Sequence, residues 1–205
     1  MALRLSRRLA GAALAAVVAV TLSACGTPPW EDAATPAPTA TPKPTSTEIT
    51  TVVNELANGS TKHQLTAGSI GLAVDYFSTL SMDQWTADAN KPLSISMIAS
   101  ITNDEKQAVY LSNMTLLVSV YGPDGKLDGP PELADRATVN PGYLVKTPYS
   151  YSQTFNLPAV DPAATYVQLS LTYELLLQST PTSSQYAKQT ASDTLTIAIA
   201  PPKAG

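Results

Sequence analysis

Residues 166–178 carry the most regular alternation in the chain. Val167, Leu169, Leu171, Tyr173, Leu175 and Leu177 fall on one side of a two-residue period, and Tyr166, Gln168, Ser170, Thr172, Glu174 and Gln178 on the other. A 3.6-residue helical period would scatter the apolar set around the axis, so this segment reads as a strand with one buried face. The same period recurs upstream and downstream. Ile70, Leu72, Val74 and Tyr76 form one set; Ile95, Met97, Ala99 and Ile101 alternate with Ser94, Ser96 and Ser100. Met114, Leu116, Val118 and Val120 form a third set, ended by the turn signal Gly122-Pro123-Asp124-Gly125. Tyr149, Tyr151, Gln153, Phe155 and Leu157 suggest a further strand closed by Pro158, and Leu195, Ile197 and Ile199 a last one before Pro201-Pro202. Short alternating strands with no helical pattern between them predict one all-β domain over residues 68–200. The expected architecture is an antiparallel immunoglobulin-like β-sandwich, with 201–205 as a tail. Residues 48–67 stay open. Thr47-Glu48 before Ile49, Val52, Val53 and Leu56 suits a capped helical turn, while the β-branched run 49–53 suits a strand equally well.

The first 24 residues follow a different logic. Arg4, Arg7 and Arg8 precede an apolar stretch at 9–22, and small residues follow, which is the order of a secretory signal. The stretch is shorter than the roughly 20 apolar residues that span a bilayer, and Gly11 and Thr21 interrupt it. Its ending, Leu22-Ser23-Ala24-Cys25, resembles the bacterial lipoprotein lipobox. That resemblance implies cleavage between Ala24 and Cys25, a diacylglyceryl group on the Cys25 thiol and an optional acyl chain on the new amine. It places the protein on the outer face of the cell membrane, and two or more chains anchor stably where one does not. Cys25 is the sole cysteine, so no disulfide can form within the chain and the exported domain must rely on its core.

Residues 25–47 then form a linker, with six prolines (Pro28, Pro29, Pro36, Pro38, Pro42, Pro44) interleaved with threonines. Extended polyproline II at about 3.1 Å per residue gives a reach of roughly 60–70 Å. Trp30 in this tract is a candidate for the bilayer interface. Without the three arginines of the signal, 9 basic residues face 16 acidic ones, a net charge near −7. Such a balance argues against nucleic acid as a partner and against attraction to anionic headgroups.

A family resemblance is carried by four stretches in order. They are the strand 68–77 followed by Trp85; the strand 93–103 ending Ile101-Thr102-Asn103-Asp104; the strand 116–125 running into Pro-Asp-Gly; and Asn140-Pro141-Gly142 followed by Phe155-Asn156-Leu157-Pro158. Together they are similar to the immunoprotective extracellular antigen type of immunoglobulin-like domain found in actinobacterial lipoproteins. The resemblance covers residues 68–200 and implies a fold and a location rather than a reaction.

Signatures of catalysis are missing. There is no Gly-x-Ser-x-Gly elbow, no Ser-x-x-Lys pair and no P-loop. His63, the only histidine, has no acid or thiol at ligand spacing and is expected on the surface. No enzymatic activity and no cofactor are therefore expected. Carboxylates offer the one metal hypothesis: Asn103, Asp104 and Glu105 in one turn, and Asp124 and Asp128, with Glu132 and Asp135 beyond, around the long 122–148 connection, are hard oxygen ligands suited to Ca²⁺. Among the tyrosines, alternation puts Tyr149, Tyr151 and Tyr173 in register with the core. Tyr143 in its loop, and Tyr121, out of phase with Val118 and Val120, are the candidate surface contacts. The expectation is a non-catalytic binding module that meets an envelope protein or wall component. The alternatives are a small-ligand or metal carrier serving a membrane transporter and a passive structural lipoprotein.

Overall fold

A computed structural model describes residues 52–202. The signal, Ala24, Cys25, Trp30 and the Thr/Pro linker lie outside the described residues.

The alternating segments form two antiparallel sheets. The first has the order β1-β2-β3-β8, with β1 Ser60–Ala67, β2 Ile70–Phe77, β3 Lys91–Ile101 and β8 Tyr151–Leu157. In the second, β10 (Tyr186–Ala198), β9 (Tyr166–Gln178) and β4 (Val109–Gly122) lie side by side. The free side of β4 is covered in succession by β7 (Tyr143–Leu144), β6 (Leu133–Arg136) and β5 (Gly125–Leu127), so the 122–148 connection runs back along the full length of β4. A β3–β8 pair in one sheet and a β10-β9-β4 run in the other match the B–E and G-F-C neighbours of an immunoglobulin-like sandwich.

The two inner faces meet in one core. Leu72, Val74, Ile95 and Met97 of the first sheet are fully buried with Leu116, Leu169, Leu175 and Ile197 of the second. Trp85, between β2 and β3, is also fully buried, and its indole N–H donates to Ser78 Oγ at 3.0 Å. Lys91 is buried as well. Its ammonium donates to the carbonyls of Thr86 (3.1 Å), Ala87 (3.4 Å) and Ala89 (2.6 Å), which close the 86–89 loop around it.

Of the segment left open by the sequence, the described part, 52–67, resolves as a turn and a strand. Glu55 N–H donates to Thr196 C=O at 3.0 Å, Leu56 is fully buried, and β1 follows as the outer strand of the first sheet. β4 starts five residues before the apolar set at Met114 suggested, because its pairing with β9 shifts register between Leu111 and Asn113. One residue more on β4 reverses the alternation, so Val109 and Leu111 bury together with Met114 and Leu116 although their phases differ.

Candidate functional site

An open cleft of about 490 Å³ lies where the free side of β8 faces the 135–144 stretch. Asp135, Val139, Tyr143 and Tyr149 line it together with β8 residues Tyr151 to Gln153. The wall opposite β8 is positioned by β4. β6 pairs Asp135 with Met114, and β7 pairs Tyr143 with Leu111. Gly142 makes the second contact possible, since a Cβ there would sit 2.5 Å from the Leu111 carbonyl oxygen. On the β8 wall, Tyr151 turns its ring inward and donates its hydroxyl to Asp135 Oδ2 at 2.7 Å, tying the two sheets together across the floor of the cleft. Burial first, and the Asp135 carboxylate second, hold the Tyr151 hydroxyl well above its ordinary titration range. Tyr143 stacks against Tyr151 with ring centroids 6.0 Å apart.

Tyr149 corrects the sequence reading. It is 56% exposed rather than part of the core, and the neighbouring Val139 is 55% exposed. Tyr149 N–H closes a turn onto the Lys146 carbonyl (3.0 Å), and the two-residue period of β8 begins only at Tyr151. Two large side chains therefore stand exposed over one concave surface, while Tyr151 and Tyr173 are buried as the alternation implied.

The other candidate residues lie apart from this cleft or are otherwise engaged. Tyr121 stacks face to face on its β9 partner Tyr166, centroids 4.8 Å apart at 7°, a cross-strand pair on the outside of the second sheet. Asn103, Asp104 and Glu105 sit in the β3–β4 turn, and Asp124 and Asp128 flank β5. The 14 residues of β4 separate those two groups, about 45 Å at the rise of an antiparallel strand. Asp104 is already occupied: Lys146 Nζ lies 2.5 Å from its Oδ1, which also accepts the Lys106 N–H at 2.8 Å. The lysine's hydrogen bond, then the backbone one, hold its carboxyl below the usual range. Among the described residues no group of three or more His, Cys, Asp or Glu side chains is arranged to hold a metal ion.

His63 is the residue for which sequence spacing misled most. Its Nδ1 lies 2.7 Å from Asp193 Oδ2 and its Nε2 3.3 Å from Glu55 Oε1, with only 22% of the side chain exposed. Asp193 Oδ2 also accepts the Tyr76 hydroxyl at 2.6 Å, and Tyr76 and Tyr173 hydroxyls meet at 2.8 Å. Glu55 in turn accepts the Thr196 N–H. Five side chains from both sheets thus form one polar chain along the β1/β10 side. Burial holds both tyrosine hydroxyls far above their ordinary range, and Asp193 adds to this in both. Every ring and carboxylate in it is engaged with another, so it reads as a cross-brace between sheets.

No protein-family model matches the chain, and no curated protein does.

Proposed function

We propose that the protein is a non-catalytic binding module of a bacterial envelope, tethered to the outer face of the cell membrane by lipid on Cys25. In this reading it is a relative of the actinobacterial immunoglobulin-like lipoproteins that its strand and turn motifs resemble. It meets an envelope protein or wall component through the cleft between β8 and the 135–144 stretch. The observation that carries the reading is the pairing of two exposed large side chains, Val139 and Tyr149, with the half-buried Tyr143 over one concave surface beside a sheet edge. Exposed tyrosine combines apolar area with a hydroxyl and is enriched at binding anchors. The signal, the cleavage register of the lone cysteine and the Thr/Pro spacer support the location.

A small-ligand carrier is the second reading, favoured by the cleft volume of about 490 Å³, within the range of small-molecule sites. A photo-crosslinking residue at position 149 in intact cells separates the two. A discrete adduct that is absent with the same group at Ile98, an exposed residue on β3, supports a macromolecular contact at the cleft. No adduct at 149 refutes it. For the anchor, Cys25→Ala is expected to move the protein from the detergent phase to the medium, and retention in the membrane fraction overturns lipidation at that residue.

A further inference from the structure

Two independent features of the cleft specify the chemistry of an occupant. The first is backbone. Among the described residues β8 is the last strand of its sheet, so one of its sides has no described strand beyond it. Thr154 N–H donates to the side-chain carbonyl of its own neighbour Gln153 at 3.0 Å, the way an outward amide is satisfied where a ladder has ended. The same local bond, Thr194 N–H to Asp193 Oδ1, recurs on β10, the outer strand of the other sheet. The Ser94 and Thr154 hydroxyls, 2.8 Å apart on paired residues of β3 and β8, fit the close side-chain spacing of a pair that exchanges no backbone bonds. Ser152 and Asn156 share the phase of Thr154 and present their N–H and C=O groups outward with it. Exposed edges are ordinarily blunted by charge or proline. β1 carries Lys62 and His63, and β10 carries Lys188 and Asp193, whereas Tyr151–Leu157 contains neither device.

The second feature is charge. Asp135 is the one carboxylate lining the cleft, no Lys, Arg or His lines it, and Tyr143, Tyr149 and Tyr151 surround it. Aromatic faces beside a single carboxylate favour an ammonium or guanidinium group. The chain's net charge of −4 acts in the same sense.

We infer that the cleft takes an extended polypeptide segment, which adds to the free side of β8 through backbone hydrogen bonds and seats a lysine or arginine side chain among Tyr143, Tyr149 and Asp135. This rests on the reading of the cleft as the contact surface, and it names the partner's class: a strand-forming, basic polypeptide. In such complexes backbone pairing supplies affinity and alternate side chains supply specificity.

Fluorescence anisotropy on the purified full chain in detergent micelles tests it with four probes. These are a Ser/Val-alternating peptide with a central lysine, the same peptide with a central glutamate, the lysine peptide N-methylated on alternate backbone amides, and free Nα-acetyl-lysine amide. The lysine peptide is expected to bind about tenfold more tightly than the glutamate peptide, and Asp135→Asn to remove most of that preference. N-methylation is expected to abolish binding. So is Thr154→Pro, which deletes one outward N–H on an edge where proline is tolerated; if that variant does not fold, the N-methylated peptide carries the same test. Equal binding of the N-methylated and parent peptides overturns strand addition. Competition by Nα-acetyl-lysine amide at the affinity of the whole peptide overturns it in favour of a small-cation site. Self-association of the chain that Thr154→Pro abolishes, with no peptide bound, makes the occupant a second copy and overturns it too. Loss of peptide binding with the crosslink at position 149 intact refutes this inference alone, whereas loss of both refutes the contact surface itself.

Discussion

Raising the pH above 10 should unfold this domain by a route that can be counted in protons. Tyr76, Tyr151 and Tyr173 are three of the nine tyrosines, and burial is the largest cause holding each hydroxyl above its ordinary value near 10. In the unfolded chain all three ionise near pH 10, while in the folded domain they keep their protons. Between those limits the native state binds three more protons than the unfolded state, so stability falls as pH rises. The slope is about 1.4 kcal/mol per pH unit for each tyrosine, hence about 4 kcal/mol per unit for the three together. Lys91 works in the opposite sense in a lower window. Burial lowers its ammonium, so its contribution increases as pH rises toward 10.5 and is complete there, leaving nothing to offset the tyrosines above it. A domain stable by about 10 kcal/mol loses all of it within roughly 2–3 pH units of 10. Tyrosinate absorbance and far-UV circular dichroism, followed together on the purified chain, are the assay. Tyr76, Tyr151 and Tyr173 are expected to ionise only as the strand signal collapses. Tyr76→Phe is expected to lower the dependence by one proton. Reversible ionisation of Tyr76, Tyr151 and Tyr173 near pH 10 with the strand signal unchanged would refute the burial argument.

Two substitutions test packing near the cleft and away from it. Lys91→Ala leaves the Thr86, Ala87 and Ala89 carbonyls without their shared donor and opens a void; a loss of about 2–4 kcal/mol in urea unfolding is expected, and a change under 1 kcal/mol would mean water replaces the ammonium without cost. Gly142→Ala forces a Cβ against the Leu111 carbonyl and must displace β7 with Tyr143. A loss of at least about 1 kcal/mol is expected in the same assay, together with weaker crosslinking at position 149, and an unchanged denaturation midpoint would show that the backbone gives way freely.

Where one face of a strand is buried and the other wet, its period was legible: β2, β3 and β9 stand where the alternation put them. Three features broke the period. The register shift at Leu111/Asn113 reversed the phase of β4 and hid its first half. The first half of β10 reads Ala187-Lys188-Gln189-Thr190 because it lies at a sheet edge with little core to face. β5, β6 and β7 are short strands that pair only with β4, so their backbone bonds, not their side chains, define them. The cleft was half legible. Tyr143 was singled out from its loop position, but Tyr149 was assigned to the core by extending the period of β8 two residues past its start.

The polar chain from Glu55 to Tyr173 was illegible for a different reason, and that reason bears on how the domain holds together. A local search for partners of His63 covers a few residues on either side, whereas Asp193 is 130 residues away in sequence. With one cysteine, and that one in the lipobox-like ending, the sandwich has no inter-sheet disulfide to join its halves. The Tyr76–Tyr173 and Tyr76–Asp193 bonds on one side, and Tyr151–Asp135 on the other, each tie the first sheet to the second with groups that would be costly to bury unpaired. These are the tyrosines through which alkali is expected to unfold the domain. A phenol held un-ionised between sheets serves as a cross-link only while it keeps its proton. The Tyr151–Asp135 tie also forms the floor of the cleft, so one hydrogen bond joins the sheets and fixes the carboxylate that a basic side chain would meet.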